Sequence, residues 1–202
     1  SIVCEGYFDF LRLYEAGFTN SVASLGTALT EDQIYLLARY SDTIYMLYDG
    51  DAAGQKAAVR GALLALSMGI NSKIVHLPAE HDPDSFILAN GKDALQEKIA
   101  AAQGVIEYYA FNTQKGITTE EKINLLLDSV RAVKDPIKKE LLVKDISEAF
   151  RISETAISSK LRTTSRPLPQ YNDTPAVAQS VFTDNNEERY ILILALKDKE
   201  SY

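Results

Sequence analysis

The sequence contains only one cysteine, Cys4, among its 202 residues. A single thiol cannot form an internal disulfide, and a chain without disulfides fits a reducing compartment. The sequence also lacks a signal-peptide pattern and any apolar run of transmembrane length. These absences argue against a disulfide-stapled secreted scaffold, and we expect a cytoplasmic protein with no membrane partner.

An initiating methionine is also missing, because the chain begins at Ser1 and enters a strand-like apolar run at once. We therefore expect a fragment of a longer protein. The formal net charge of −7 argues against nucleic acid, but the charge is unevenly distributed. Residues 1–115 carry 14 acidic and 8 basic side chains, whereas residues 131–166 carry 5 acidic and 9 basic ones. Net charge alone therefore says little about partners.

One stretch organises the chain: an apolar run, residues 44–48, that ends in Asp49-Gly50-Asp51. Such a run is typical of a buried parallel strand, and ligands bind where such strands end. Two carboxylates on one tight turn repel each other unless a cation or a shared proton lies between them. Mg²⁺ suits the turn because it takes a few carboxylate oxygens and keeps other ligands as water or phosphate. An acidic, solvated turn is the alternative.

Strand and helix patterns alternate four times over residues 1–102, which predicts an α/β fold with a mostly parallel, Rossmann-like sheet. The predicted strands are residues 2–4, 21–25, 43–48 and 73–77. Helices are predicted at residues 7–15, from 30 onward, at 52–68, 85–88 and 93–102. Right-handed crossovers place all the strand-to-helix turns on one edge of the sheet. Five acids lie at these turns: Glu5, Asp49, Asp51, Asp82 and Asp84.

The pattern changes after residue 102, and residues 103–163 predict an all-helical bundle subdomain. Thr118-Thr119-Glu120-Glu121 is typical of a capped helix start, and Pro136 suits the first turn of the next helix. Residues 164–186 contain three prolines and many small polar residues, which predicts a linker. Residues 187–202 predict the start of one more, truncated, C-terminal region.

Four motifs at the predicted edge resemble the Toprim domain of bacterial DnaG-type primases. They are Glu5-Gly6-Tyr7-Phe8-Asp9, Ala23-Ser24-Leu25-Gly26-Thr27, Asp49-Gly50-Asp51-Ala52-Ala53-Gly54 and Asp82-Pro83-Asp84-Ser85-Phe86. A Glu and an Asp-x-Asp alone are shared with topoisomerases, nucleases and recombination proteins. Three features point to the primase branch: the Ala-Ser-Leu-Gly-Thr segment, the full Asp-Gly-Asp-x-Ala-Gly string and the Asp-Pro-Asp before a helix. The resemblance is specific over residues 1–100 and fair over 105–163.

The resemblance assigns roles residue by residue. The central metal-binding and catalytic acids would be Glu5, Asp49 and Asp51. Further metal-binding acids would be Asp9, Asp82 and Asp84. A loop near the metal and nucleotide would be formed by Ser24, Gly26 and Thr27.

The function implied by the resemblance is the synthesis of short RNA primers during DNA replication, a nucleotidyl transfer that depends on Mg²⁺ or Mn²⁺. Implied partners are a single-stranded DNA template, NTPs, the RNA primer and, through the C-terminal region, a replicative helicase. Zinc would belong only to an upstream module that is missing here, as is the basic N-terminal subdomain. We therefore expect this chain to bind divalent metal but to make little or no primer alone.

Several alternatives remain open on the residues. One alternative is another Toprim enzyme, a piece of a topoisomerase or of a nuclease. A topoisomerase needs a nucleophilic Tyr, and no tyrosine of this sequence stands in a distinctive context. A phospho-acceptor signalling domain needs a Lys after a late strand, but Lys73 lies at that strand's start and Pro78 at its end. His81 is either a solvent-facing loop residue or a partner of a carboxylate. Lys56 and Arg60 either face phosphates or are simply solvated.

Overall fold

The computed structural model describes residues 1–112 and 117–163. The predicted linker at 164–186 and the predicted C-terminal region at 187–202 lie outside the described residues. Within the described residues, no helix is long and apolar enough to cross a membrane.

A five-stranded sheet forms the centre of the fold, in the order β2-β1-β3-β4-β5. The first four strands pair in parallel and β5 runs antiparallel to β4. Their bounds are β1 Ile2–Cys4, β2 Ser21–Ala23, β3 Ile44–Met46, β4 Ser72–Ile74 and β5 Gln103–Gly104. The prediction of a mostly parallel α/β sheet is therefore confirmed. The bounds predicted for β1 are confirmed, but the other three predicted strands were too long at their carboxyl ends, because those residues turn into loops.

Eight helices surround the sheet in the described part of the chain. They are α1 Tyr7–Glu15, α2 Glu31–Ala38, α3 Ala52–Ser67, α4 Pro83–Ala100, α5 Val105–Phe111, α6 Thr119–Ala132, α7 Pro136–Phe150 and α8 Glu154–Thr163. The two short helices predicted at 85–88 and 93–102 are one element, α4, interrupted at Gly91, which has a non-helical backbone (φ 83°, ψ 173°). Its start at Pro83 was missed, although Pro is well suited to a first helical position.

Side-chain caps fix where many of these helices begin. The side chains of Thr30, Asp51, Asp82, Thr118 and Asp135 each accept a hydrogen bond from a backbone N–H in the first turn of the following helix. Such caps satisfy backbone donors that have no partner inside the helix. Two of these capping residues, Asp51 and Asp82, are also predicted site residues.

Two hydrophobic cores cover the two faces of the sheet. In β1, Val3 joins one core while Ile2 and Cys4 join the other, as the alternation of side chains along a strand requires. The smaller core packs the sheet against α1 and α4. In the larger core, buried residues of the sheet, α2 and α3 are continuous with those of α5 to α8. The helical region therefore shares its core with the sheet, and the predicted boundary at residues 102/103 stays a prediction.

Leu126→Ala tests this shared core. Leu126 lies on α6, is fully buried and belongs to the core that also contains Ala62 of α3. We expect a loss of about 3 kcal/mol of unfolding free energy in urea, with one cooperative transition by circular dichroism. Leu141→Ala, at a side chain 55% exposed on α7, should change it by no more than about 0.5 kcal/mol. Two separate transitions in the Leu126 variant would show that helices and sheet unfold independently.

Candidate metal centre at the carboxyl edge of the sheet

The loops that follow β1 to β4 meet at one edge of the sheet. The Ser24 N–H donates to the Cys4 carbonyl at 3.0 Å, which joins the loops after β2 and β1. The Gly50 N–H donates to the His81 carbonyl at 2.8 Å, which joins the loops after β3 and β4. The parallel order thus brings together acids that lie far apart in the sequence.

Asp49 lies at the electrostatic centre of this edge. Its side chain is partly buried, and burial is the largest cause that raises its pKa from 3.8 to about 6. The negative charges of Asp9, Glu5, Asp82 and Asp51 raise the pKa further. These five carboxylates therefore repel one another in the absence of a cation, as closely grouped acids must.

Among the residues that the structure describes, Glu5 and Asp49 differ from the other acids because their carboxylates have no hydrogen-bond or ion-pair partner. No hydrogen bond or ion pair from residues 1–112 or 117–163 reaches either carboxylate. A partly buried carboxylate without a hydrogen-bond donor is costly, because desolvation is not offset by any contact. Such groups are available to bind a cation.

The Asp49-Gly50-Asp51 turn is held by very close backbone contacts. A Cβ atom on Gly50 would lie 1.9 Å from the Pro78 carbonyl oxygen, and one on Gly54 would lie 2.4 Å from the Asp49 carbonyl oxygen. Only glycine fits at either position. Asp51 Oδ1 accepts the Gly54 N–H at 2.7 Å as the cap of α3, so one oxygen of this exposed side chain is engaged.

Asp9 is almost fully buried and uses both carboxylate oxygens. Oδ2 accepts the Gly6 N–H at 3.0 Å, and Oδ1 accepts the Asp84 N–H at 3.2 Å. Burial raises the pKa of Asp9, and these two hydrogen bonds offset part of that rise. Asp9 therefore ties the start of α1 to the start of α4.

Arg12 also belongs to this corner, although the sequence patterns did not indicate it. Its Nε donates to Asp84 Oδ1 at 2.6 Å. The available signal was weak: Arg12 follows Asp9 by three residues, so the two side chains share one face of α1. The contact itself joins residues 72 positions apart, and no local pattern predicts it.

The side chain of Asp82 caps α4. Its Oδ1 accepts the Ser85 N–H at 2.7 Å. Burial alone would raise the pKa of Asp82, but the hydrogen bonds from Ser85 outweigh burial and lower it. His81 is partly buried, with Nδ1 3.3 Å from Ser85 Oγ and its ring edge-on to Phe86. His81 thus lies in the loop before α4 and contacts the Ser85 hydroxyl beside Asp82, and whether it acts as a partner of a carboxylate stays a prediction.

The loop after β2 lies beside β3 through Tyr48, a second residue that the sequence patterns missed. Burial raises the pKa of Tyr48 to about 12, while a hydrogen bond with the buried Ser24 side chain opposes that rise. The Thr27 hydroxyl donates to the Ser24 carbonyl at 2.6 Å, and Gly26 has a positive φ of 73°. Gly26 and Thr27 are exposed, and in the described part of the chain no hydrogen bond joins them to the acids.

The chemistry of the donors fits a hard divalent cation. All the candidate ligands are carboxylates, which suit Mg²⁺ or Mn²⁺ better than a softer metal. Within the described residues, no three His, Cys, Asp or Glu side chains already surround a common point as a closed metal cage. Mg²⁺ needs no such cage, because it commonly binds one or two carboxylates and completes its shell with water and phosphate.

Comparisons with known proteins place this chain in a family. A Toprim-like family model matches residues 2–87, a range that includes every predicted site residue. The DNA primase of Clostridium acetobutylicum is 34% identical over 211 residues, covering 98% of this chain and 35% of that protein. The zinc-binding and RNA polymerase domains of Aquifex aeolicus primase superpose with a TM-score of 0.67 at 34% identity, covering 79% of this chain and 39% of that one.

The chain belongs to the DnaG-type primase family. A DnaG primase catalytic domain bound to single-stranded DNA is a further structural neighbour, with a TM-score of 0.62, 27% identity and coverage of 77% of this chain and 52% of that one. The predicted family is therefore confirmed, and the comparisons do not favour the topoisomerase, nuclease or phospho-acceptor alternatives. The chain spans about a third of the length of the curated relatives it matches.

Asp49→Asn tests the charge repulsion among the acids at this edge of the sheet. The folded protein holds the Asp49 proton more tightly than the unfolded chain, because its pKa is raised from 3.8 to about 6. The stability of the metal-free protein should therefore fall as pH rises from 4 to 6 and stay lower above that range. Allowing for solvent screening, we expect Asp49→Asn to add about 1 kcal/mol at pH 8 in EDTA and almost nothing at pH 4, measured by urea unfolding.

The matched control is Asp42→Asn, at an exposed carboxylate that precedes β3. It should leave the pH dependence of stability as it is in the unmodified chain. A loss of stability in the Asp49 variant at pH 8 would contradict the repulsion described here.

Proposed function

We propose that this chain is the metal-binding part of a DNA primase that makes short RNA primers on single-stranded DNA. The observation that carries the proposal is the pair of carboxylates of Glu5 and Asp49 at the carboxyl edge of a parallel sheet. Both are partly buried, and neither has a partner within residues 1–112 and 117–163. The similarity to DNA primases and to a DnaG catalytic domain bound to single-stranded DNA supports it.

Glu5, Asp49 and the second oxygen of Asp51 would hold Mg²⁺ or Mn²⁺. When bound, the ion would lower the pKa of the attacking hydroxyl and offset the charge that develops on the α-phosphate of the NTP. Asp9, Asp82 and Asp84 form the outer part of the same acid set. Their assignment as further metal ligands stays a prediction, because their carboxylates already have protein contacts.

The residues of this chain would prepare the site in three ways. Because the pKa of Asp49 is raised to about 6, an arriving cation displaces a proton from this carboxyl in mildly acidic solution and meets an already charged carboxylate at pH 8. Gly50 and Gly54 let the turn pack against the neighbouring backbone, which fixes the direction of Asp49. The contact between Tyr48 and Ser24 positions the exposed backbone at Gly26 and Thr27, which would face the nucleotide.

Binding of template, NTPs and primer would involve further parts of a longer protein. This chain offers few cations near the acids: Arg12 pairs with Asp84, and Lys56 and Arg60 are exposed on α3. Whether Lys56 and Arg60 meet phosphates stays a prediction. We place zinc in a separate module, since a single buried cysteine gives this chain no cysteine-rich zinc site. The contact with a replicative helicase would be made by the C-terminal region.

A priming assay with the full-length protein tests the proposal. Asp49→Asn should lower template-dependent incorporation of ribonucleotides on single-stranded DNA by about 1,000-fold, because several kcal/mol of metal-assisted catalysis are lost. Asp42→Asn in the same full-length background should remain fully active. This 202-residue chain alone should make little primer.

Full activity of the Asp49 variant, with Mg²⁺ as the only divalent ion, would remove Asp49 from the catalytic site. The variant must also keep its fold, which the circular dichroism spectrum of the same preparation checks.

A further inference from the structure

Arg12 occupies a position that a metal ion would be expected to compete for. Its guanidinium group lies between two acids: Nε is 2.6 Å from Asp84 Oδ1, and Nη1 is 3.0 Å from Glu15 Oε2. The side chains of Arg12 and Asp84 are 33% and 32% exposed, so solvent reaches both partners. The pair therefore lies at the surface of the acid cluster rather than inside the core.

The acids of the cluster are compensated in different ways. Asp9 is satisfied by two backbone N–H groups, and Asp82 and Asp51 each cap a helix. Asp84 is the one acid of the predicted set that a cationic side chain neutralises through an ion pair within the described residues. Among the described residues, no partner therefore blocks a cation at Glu5 or Asp49, whereas a cation reaches Asp84 only if Arg12 moves away.

We propose that Arg12 is a resident counter-cation of Asp84, a positioning residue that must leave this carboxylate before a divalent ion can bind it. The proposal rests on the metal site proposed above. It divides the acid cluster into an open part, Glu5 and Asp49, and a guarded part, Asp84. Two ions would therefore bind with unequal affinity, the weaker one at the guarded carboxylate.

The physical properties of the pair favour exchange. Arginine keeps its charge at every accessible pH, so only competition, not deprotonation, releases Asp84. Exposed ion pairs are worth little, so a divalent ion can displace Arg12 at modest cost. The remaining contact with Glu15 would keep the displaced guanidinium on α1, close to where it began.

The test is a Mn²⁺ titration of this 202-residue chain, with free Mn²⁺ measured by electron paramagnetic resonance. Arg12→Gln removes the charge and retains a side chain that can form hydrogen bonds. We expect the tighter site to keep its affinity and the weaker site to bind about 3- to 5-fold tighter. Arg39→Gln is the matched control, because it removes one exposed positive charge at the carboxyl end of α2, in the segment that leads into the start of β3.

Two further variants identify the site. In an Arg12→Gln, Asp84→Asn double variant the gain at the weaker site should disappear, because the guarded carboxylate is gone. An Arg12 variant whose weaker site is unchanged or weakened would overturn the proposal, and so would the absence of any second Mn²⁺ in both proteins. An equal gain in the Arg39 variant would also overturn it, since that gain would reflect net charge alone.

The Asp49 variant shows separately whether the proposed metal site itself is wrong. Asp49→Asn should abolish the tighter Mn²⁺ site while the guarded site remains subject to Arg12. If tight binding persists in the Asp49 variant, the proposed function loses its metal site, whatever Arg12 does. If tight binding is lost there but Arg12→Gln matches the unmodified chain, only the role of Arg12 is wrong.

Discussion

Repulsion among carboxylates at one edge of the sheet is the constraint on which this part of the molecule depends. The parallel strand order brings Glu5, Asp49 and Asp82 to that edge, although they lie far apart in the sequence. Hydrophobic cores on both faces hold the strands in place despite this repulsion. The repulsion between these like charges therefore lowers the free energy of unfolding, as is common at functional sites.

Hydrogen bonds to Asp9, Asp51 and Asp82 limit this cost, whereas no described residue contributes one to Glu5 or Asp49. Backbone N–H groups bind Asp9, Asp51 and Asp82, and helix starts supply most of these donors. Each of these three acids therefore also helps to fix where a helix begins. Within the described residues Glu5 and Asp49 have no hydrogen-bond partner, and close backbone packing at Gly50 and Gly54 holds the turn that carries Asp49. Such packing suits a site that must hold an ion in one geometry.

The sequence patterns predicted those features of the fold that have a local signal in the sequence. Alternating strands and helices predicted the parallel sheet, and acids at strand ends predicted which edge carries the site. The two-residue strand β5 has no apolar pattern, so it could be recognised only from its pairing with β4. Arg12 and Tyr48 were missed for a related reason: their roles come from contacts with Asp84 and Ser24, which are distant in sequence. The packing of α6 against α3 is likewise a tertiary result.

The central claim is that Glu5 and Asp49 together bind one divalent ion. Anomalous diffraction from crystals of this chain soaked in Mn²⁺ tests it most directly. We expect an anomalous peak between these two carboxylates, at about 2.1–2.2 Å from an oxygen of each, with water completing the shell. A map with no peak there at a Mn²⁺ concentration that saturates binding in solution, or with a peak only beside Asp82, would contradict the account.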